Sequence, residues 1–197
     1  MLDWIKNIGG NYPDFYKEYL SKFDKKSERF VVLSIETTGL NTETDQIISV
    51  GAIAVSDNKI VVNDSIIITF LIHTKINYDN PREIEYEKKL SESIIPEALQ
   101  KFLVFIENAV LVGHRVAFDV NILNEYLEKA KCGKLKNEAI DIEVMYKKLE
   151  DITDKDFSLD DLLAKFKVEK NEKYSASEDA FSIAVLFLKL KSRLGIL

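Results

Sequence analysis

A mixed β-sheet flanked by helices is the fold this sequence predicts, on three observations. Three β-rich stretches lie near the start, helical and short apolar segments alternate after them, and a long amphipathic helix closes the chain. The first strand, residues 29–36, is β-branched and apolar, and it stops at Thr37, Thr38 and Gly39, which favour a turn. Residues 46–55 and 60–73 read as two further strands. Ser56, Asp57, Asn58 and Lys59 between them have hairpin chemistry, so the sheet starts with three antiparallel strands. The apolar positions Ile94, Ile95, Leu99, Phe102, Leu103 and Ile106 predict a helix, followed by a short strand at 109–112. Phe118, Ile122, Leu123, Tyr126 and Leu127 repeat at three and four, which predicts a helix over 118–130. A short strand at 139–141, a helix from Glu143 and a short helix opened by Ser158 with Asp161 three residues on come next. The last helix spans about 176–194, with Ala180, Ile183, Phe187, Leu190 and Leu194 along one stripe.

Residues 1–28 are read as an N-terminal helical extension, in which Phe15, Tyr16, Tyr19, Leu20 and Phe23 recur at helical spacing after Pro13 and Asp14. Residues 29–197 form the main domain. At 197 residues, 46% hydrophobic and 30% charged, the chain can bury one substantial core and lacks the composition of a disordered protein. Cys132 is the single cysteine, and no leader or long apolar run is evident. A cytoplasmic protein with no membrane partner is therefore expected. A formal charge of −6 supplies no general attraction to phosphate, so nucleic-acid binding would need a local basic surface or bound cations.

Three motifs carry chemistry. Residues 30–40 read Phe-Val-Val-Leu-Ser-Ile-Glu-Thr-Thr-Gly-Leu, residues 111–119 read Leu-Val-Gly-His-Arg-Val-Ala-Phe-Asp, and residues 174–179 read Tyr-Ser-Ala-Ser-Glu-Asp. In order and spacing they resemble the motifs of the DEDDh 3′-to-5′ exonucleases, the DnaQ-like family of replicase proofreading subunits within the ribonuclease-H-like superfamily. The resemblance covers about residues 30–187. It implies a ribonuclease-H-like α/β domain, three antiparallel strands followed by parallel ones, acting on single-stranded DNA or RNA 3′ ends or on a nucleoside monophosphate.

The family pattern implies that Glu36, Asp119 and Asp179 are metal ligands for Mg²⁺ or Mn²⁺, and that Thr37, Thr38, Gly39 and His114 contact nucleotide. It also marks two departures. Ser34 stands where the family carries the aspartate that bridges both metals, and Tyr174 stands where it carries the histidine general base. Side chains two apart on a strand face the same way, which is how the first motif delivers two groups to one site. Arg115 occupies a position where the family often has asparagine, and residues 80–89 lack the family's His-Gly-Ile stretch. Two-metal hydrolysis requires hard carboxylates holding cations about 4 Å apart. A serine hydroxyl is a poor substitute. A tyrosine with an ordinary pKa of about 10 is protonated near neutrality and replaces imidazole badly. The expectation is an exonuclease-fold protein that recognises 3′ ends with weakly held metal and weak or lost hydrolysis, a pseudoenzyme. Its rivals are an active exonuclease releasing nucleoside monophosphates and a non-enzymatic module that docks a protein partner. His73 and His114 are each expected to be structural before catalytic.

Overall fold

In the computed structural model, the described residues are 11–70, 75–76, 84–85, 94–169 and 175–196. The elements in order are helix α1 (Asp14–Ser21) with a 3₁₀ turn (Lys22–Asp24), and strands β1 (Phe30–Thr37), β2 (Ile47–Ser56) and β3 (Lys59–Thr69). Next come the two-residue strands β4 (Lys75–Ile76) and β5 (Ile84–Glu85), α2 (Ile94–Ile106), β6 (Val110–Gly113) and α3 (Val116–Lys129). Strand β7 (Ala139–Asp141), α4 (Ile142–Glu150), α5 (Leu159–Lys165) and α6 (Ala176–Arg193) complete the chain. His73, Tyr174 and residues 80–83 and 86–89 of the stretch lacking the His-Gly-Ile triplet lie outside the described residues.

Five strands form one sheet in the order β3-β2-β1-β6-β7. The β1–β2 and β2–β3 pairs are antiparallel, and β1–β6 and β6–β7 are parallel. This is the mixed sheet predicted, and the β2–β3 hairpin turns through Asp57 and Asn58, both at positive φ, as a two-residue turn of the right twist requires. Alternate residues of β1 enter different cores. Val31 and Leu33 pack with α1, α2 and α3, around Tyr16, Tyr19, Phe102 and Ile122. Val32 packs on the other face with α4, α5 and α6, around Tyr146, Phe157 and Phe187. Ser34 follows Val32 by two and so shares the α6 face.

Helix α1 is thus part of the main core. Tyr16 and Tyr19 are fully buried, and their hydroxyls hold the segment after α3: Tyr16 donates to the Lys134 carbonyl at 2.7 Å and Tyr19 to Asn137 Oδ1 at 2.6 Å. Burial pushes the Tyr16 hydroxyl up to about 12.

The Ser158 signal is a full capping box. The Ser158 hydroxyl accepts from the Asp161 N–H, and Asp161 accepts in return from the Ser158 N–H. Ser158→Ala is expected to cost about 1 kcal/mol, a fall in Tm of about 2–4 °C by thermal circular dichroism. An unchanged Tm would show that the cap contributes nothing.

Candidate functional site

The parallel pairing of β1 and β6 places their carboxyl ends side by side, with Val32 opposite Val112. In open α/β sheets that edge is where ligands bind. A cleft of about 480 Å³ opens there, lined by Ser34, Ile35, Thr37, Leu40, His114, Arg115, Phe118, Asp119, Ser158, Leu159, Asp160, Asp179 and Ile183. Of the expected metal ligands it brings together Asp119, from the start of α3, and Asp179, from the start of α6, with Ser34 of β1 on the same lining.

Each is positioned by backbone. Asp119 lies in the first turn of α3, immediately after β6. A Cβ on Gly113 would sit 3.4 Å from the Asp119 carboxylate and 3.2 Å from Val116, so a small residue here lets helix and strand end meet closely. Asp179 lies in the first turn of α6, capped by the Ser175 hydroxyl, which accepts from the Glu178 N–H at 3.3 Å. That turn rests on Gly51, the residue opposite Ser34 across the β1–β2 ladder. Asp119 is 7% exposed, and burial pushes its carboxyl well above the ordinary carboxylate range, with the charge of Asp141 adding to the shift.

Glu36 is exposed, accepts a hydrogen bond from the Ser49 hydroxyl at 2.8 Å, and is not among the residues lining the cleft. Thr37 lines it and donates to the Gly39 carbonyl at 2.7 Å. Thr38 and Gly39 face Asp45 instead: the Thr38 hydroxyl donates to Asp45 at 3.0 Å, and a Cβ on Gly39 would fall 2.6 Å from that carboxylate. His114 lines the cleft, with Nε2 2.9 Å from the Phe157 carbonyl and 3.6 Å from Glu143.

Sequence reasoning passed over Glu143. This carboxylate is 5% exposed and accepts from the Phe157 N–H at 3.0 Å, Lys147 Nζ at 3.0 Å and Arg115 Nε at 3.4 Å. Burial raises its pKa, but these donors outweigh that and hold it below the ordinary value. Asp141 works beside it, accepting from the Val116 N–H at 3.0 Å and the Glu143 N–H at 2.8 Å, so one side chain caps both α3 and α4. The signal was a carboxylate on the buried face of a helix, between Ile142 and Met145. Leu40 and Phe118 were also missed as cleft residues. Leu40 is 87% exposed at the mouth, and Phe118 packs partly on the core while lining the cleft.

The donors present do not fit a pair of divalent cations. Ser34 offers a neutral hydroxyl, Glu36 is engaged by Ser49, and among the described residues no three of His, Cys, Asp and Glu converge as a metal site needs.

A mixed sheet of this order, with acidic motifs meeting at the carboxyl ends of β1 and β6, defines a ribonuclease-H-like nuclease domain. The chain belongs to the exonuclease family RNase_T, whose description, "Exonuclease", matches residues 31–187. It is 35% identical over 176 residues to a PolC-type DNA polymerase III of Caldanaerobacter subterraneus subsp. tengcongensis, a match covering 84% of this chain and 12% of that one. It is 29% identical to the PolC-type DNA polymerase III of Thermotoga petrophila, over 90% of this chain and 13% of that one. Among solved structures, exonuclease I superposes with a TM-score of 0.62 at 13% identity, over 86% of this chain and 42% of that one. The E. coli exonuclease I complex with a dT13 oligonucleotide gives 0.61, also at 13% identity, over 86% and 42%. The chain thus spans about an eighth of the polymerase relatives. No helix among the described residues is long and apolar enough to cross a membrane.

Proposed function

We propose that this domain recognises nucleic-acid 3′ ends in the cleft at the carboxyl ends of β1 and β6, with metal-dependent phosphodiester hydrolysis weak or lost. The observation that carries the reading is Ser34: the strand position shared with Asp119 and Asp179 in one cleft bears a neutral hydroxyl where the family has its bridging carboxylate. The family's hydrolysis generally uses divalent metals. One carboxylate fewer weakens the hold on the second cation, and Tyr174 in place of the histidine removes a proton acceptor that typically contributes about 10² to 10⁴ in rate. Substrate recognition has different requirements and can outlast catalysis. The cleft keeps an exposed leucine and a half-buried phenylalanine, Leu40 and Phe118, which suit a terminal base by apolar contact and stacking.

The test is incubation with 5′-labelled single-stranded DNA and RNA in Mg²⁺ or Mn²⁺, beside the double variant Ser34→Asp/Tyr174→His. The unaltered protein is expected to leave the substrate intact, and the double variant to shorten it stepwise at least about 100-fold faster. A ladder from the unaltered protein that disappears in Asp179→Ala would overturn the reading in favour of an active exonuclease.

A further inference from the structure

We propose that Arg115 is a phosphate anchor that lets this cleft hold a nucleic-acid strand without a metal ion, an inference that rests on the 3′-end-binding reading above. Among the described residues lining the cleft it is the one permanent cation. Its side chain is 58% exposed, so it is open to a ligand. Nε is held 3.4 Å from Glu143, and among the described residues the two terminal NH₂ groups hydrogen-bond nothing. A guanidinium steadied at one nitrogen presents its remaining donors as a fixed fork, which matches two oxygens of a phosphate. Glu143 is shared with Lys147 at 3.0 Å, and Lys147 is in turn shared with Asp156 at 2.8 Å.

The backbone at Arg115 is a second, independent observation. It precedes α3 with φ 55° and ψ 42°, the left-handed region. Glu107, Lys131, Asp151 and Lys167 also have positive φ, but they follow the ends of helices, where that conformation is common. That conformation costs any residue with a Cβ, and asparagine would be more relaxed there than arginine. Nor does capping require a polar residue at 115, since Asp141 accepts the Val116 N–H. Strain retained at the rim of a cleft points to what the side chain does there.

Chemistry gives the reason. Asp160 and Asp179 are also on the lining, beside Asp119, whose carboxyl burial holds toward its neutral form, so a cation favours the entry of a phosphate. With a donor set that does not fit a metal pair, Arg115 supplies that charge from the protein itself. Asp156 and Glu143 are the carboxylates whose charges it otherwise faces.

The experiment is fluorescence anisotropy of a 5′-labelled oligothymidylate with the full chain in EDTA, across a salt series, for the unaltered protein, Arg115→Asn and Arg115→Lys. The unaltered protein is expected to bind in EDTA. Arg115→Asn should weaken binding about tenfold and make the plot of log K against log salt shallower by about 0.7, the contribution of one phosphate contact on a single strand. Arg115→Lys should keep most of the slope but lose affinity with the fork. Asparagine suits the left-handed backbone, so an undiminished Tm is expected and excludes misfolding. If Arg115→Asn binds in EDTA with the affinity and slope of the unaltered protein, the anchor is overturned and the 3′-end reading stands. If the unaltered protein binds only with Mg²⁺, the anchor is overturned in favour of a metal. Binding under neither condition would sink the 3′-end reading, and the anchor with it.

Discussion

Gly51→Ala is expected to destabilise the protein by about 3 kcal/mol or more, lowering Tm by about 6–12 °C, and to move the start of α6 off the sheet. The ideal Cβ at this position falls 2.4 Å from the carbonyl carbon of Ala176 and from the Ser177 nitrogen, and 2.5 Å from the Ala176 oxygen. All three atoms are backbone, so no side chain can rotate away. Carbon atoms pack at about 3.5–4.0 Å, so the helix end would have to retreat by about 1 Å or more. The core on the α6 face of the sheet would register that retreat. Ala180 and Ile183, on the same helix, are buried among Val32, Ile53 and Val112. Asp179 would withdraw from Ser34, so any activity gained by Ser34→Asp/Tyr174→His should be lost again when Gly51→Ala is added. A variant with unchanged Tm and crystal structure would refute the close packing on which this depends.

Removing Glu143 should also destabilise the protein, through a lost hydrogen-bond acceptor. Glu143→Ala is expected to lose about 1–3 kcal/mol, because it leaves the buried Phe157 N–H unsatisfied. Lys147 keeps Asp156 at 2.8 Å and the Arg115 side chain is 58% exposed, so neither cation is stranded in a buried site. A fall in Tm of about 2–12 °C by calorimetry is the expected result. The pH dependence is a separate readout. Glu143 is held below its ordinary pKa of 4.5, so its contribution is present above that value and is lost as pH falls through the lower folded value. The unaltered protein should therefore lose stability more steeply than Glu143→Ala as pH drops below about 4.5. Parallel pH profiles would show that the carboxylate charge is not what holds this corner. Since Glu143 joins the 114–115 turn to Phe157, next to Ser158, Leu159 and Asp160, the variant should also loosen one wall of the cleft.

Periodicity made most of the fold legible because burial imposes it. The β1 residues Val31, Val32 and Leu33 are apolar on both faces, which fits a central strand covered twice, and α6 carries its buried stripe at intervals of three and four. Local chemistry was equally readable where a residue's role depends on near neighbours, as with the Asp57-Asn58 turn and the Ser158 cap. Helix starts shifted slightly: α3 begins at Val116, two residues before the apolar repeat, because Asp141 from a distant strand satisfies its first N–H.

What the sequence by itself determined was the identity of the motif residues: Ser34 with no carboxylate, Tyr174 with no imidazole, Arg115 with a permanent charge. Those are properties of side chains and need no fold. What the tertiary structure decided was company. It set Asp119 and Asp179 in one cleft with Ser34, left Glu36 against Ser49 and outside the lining, turned Thr38 and Gly39 toward Asp45, and gathered His114, Arg115, Lys147 and Phe157 around Glu143. These pairings join residues far apart in the chain. They follow from sheet order and from which helix end meets which strand end, and no local pattern encodes that.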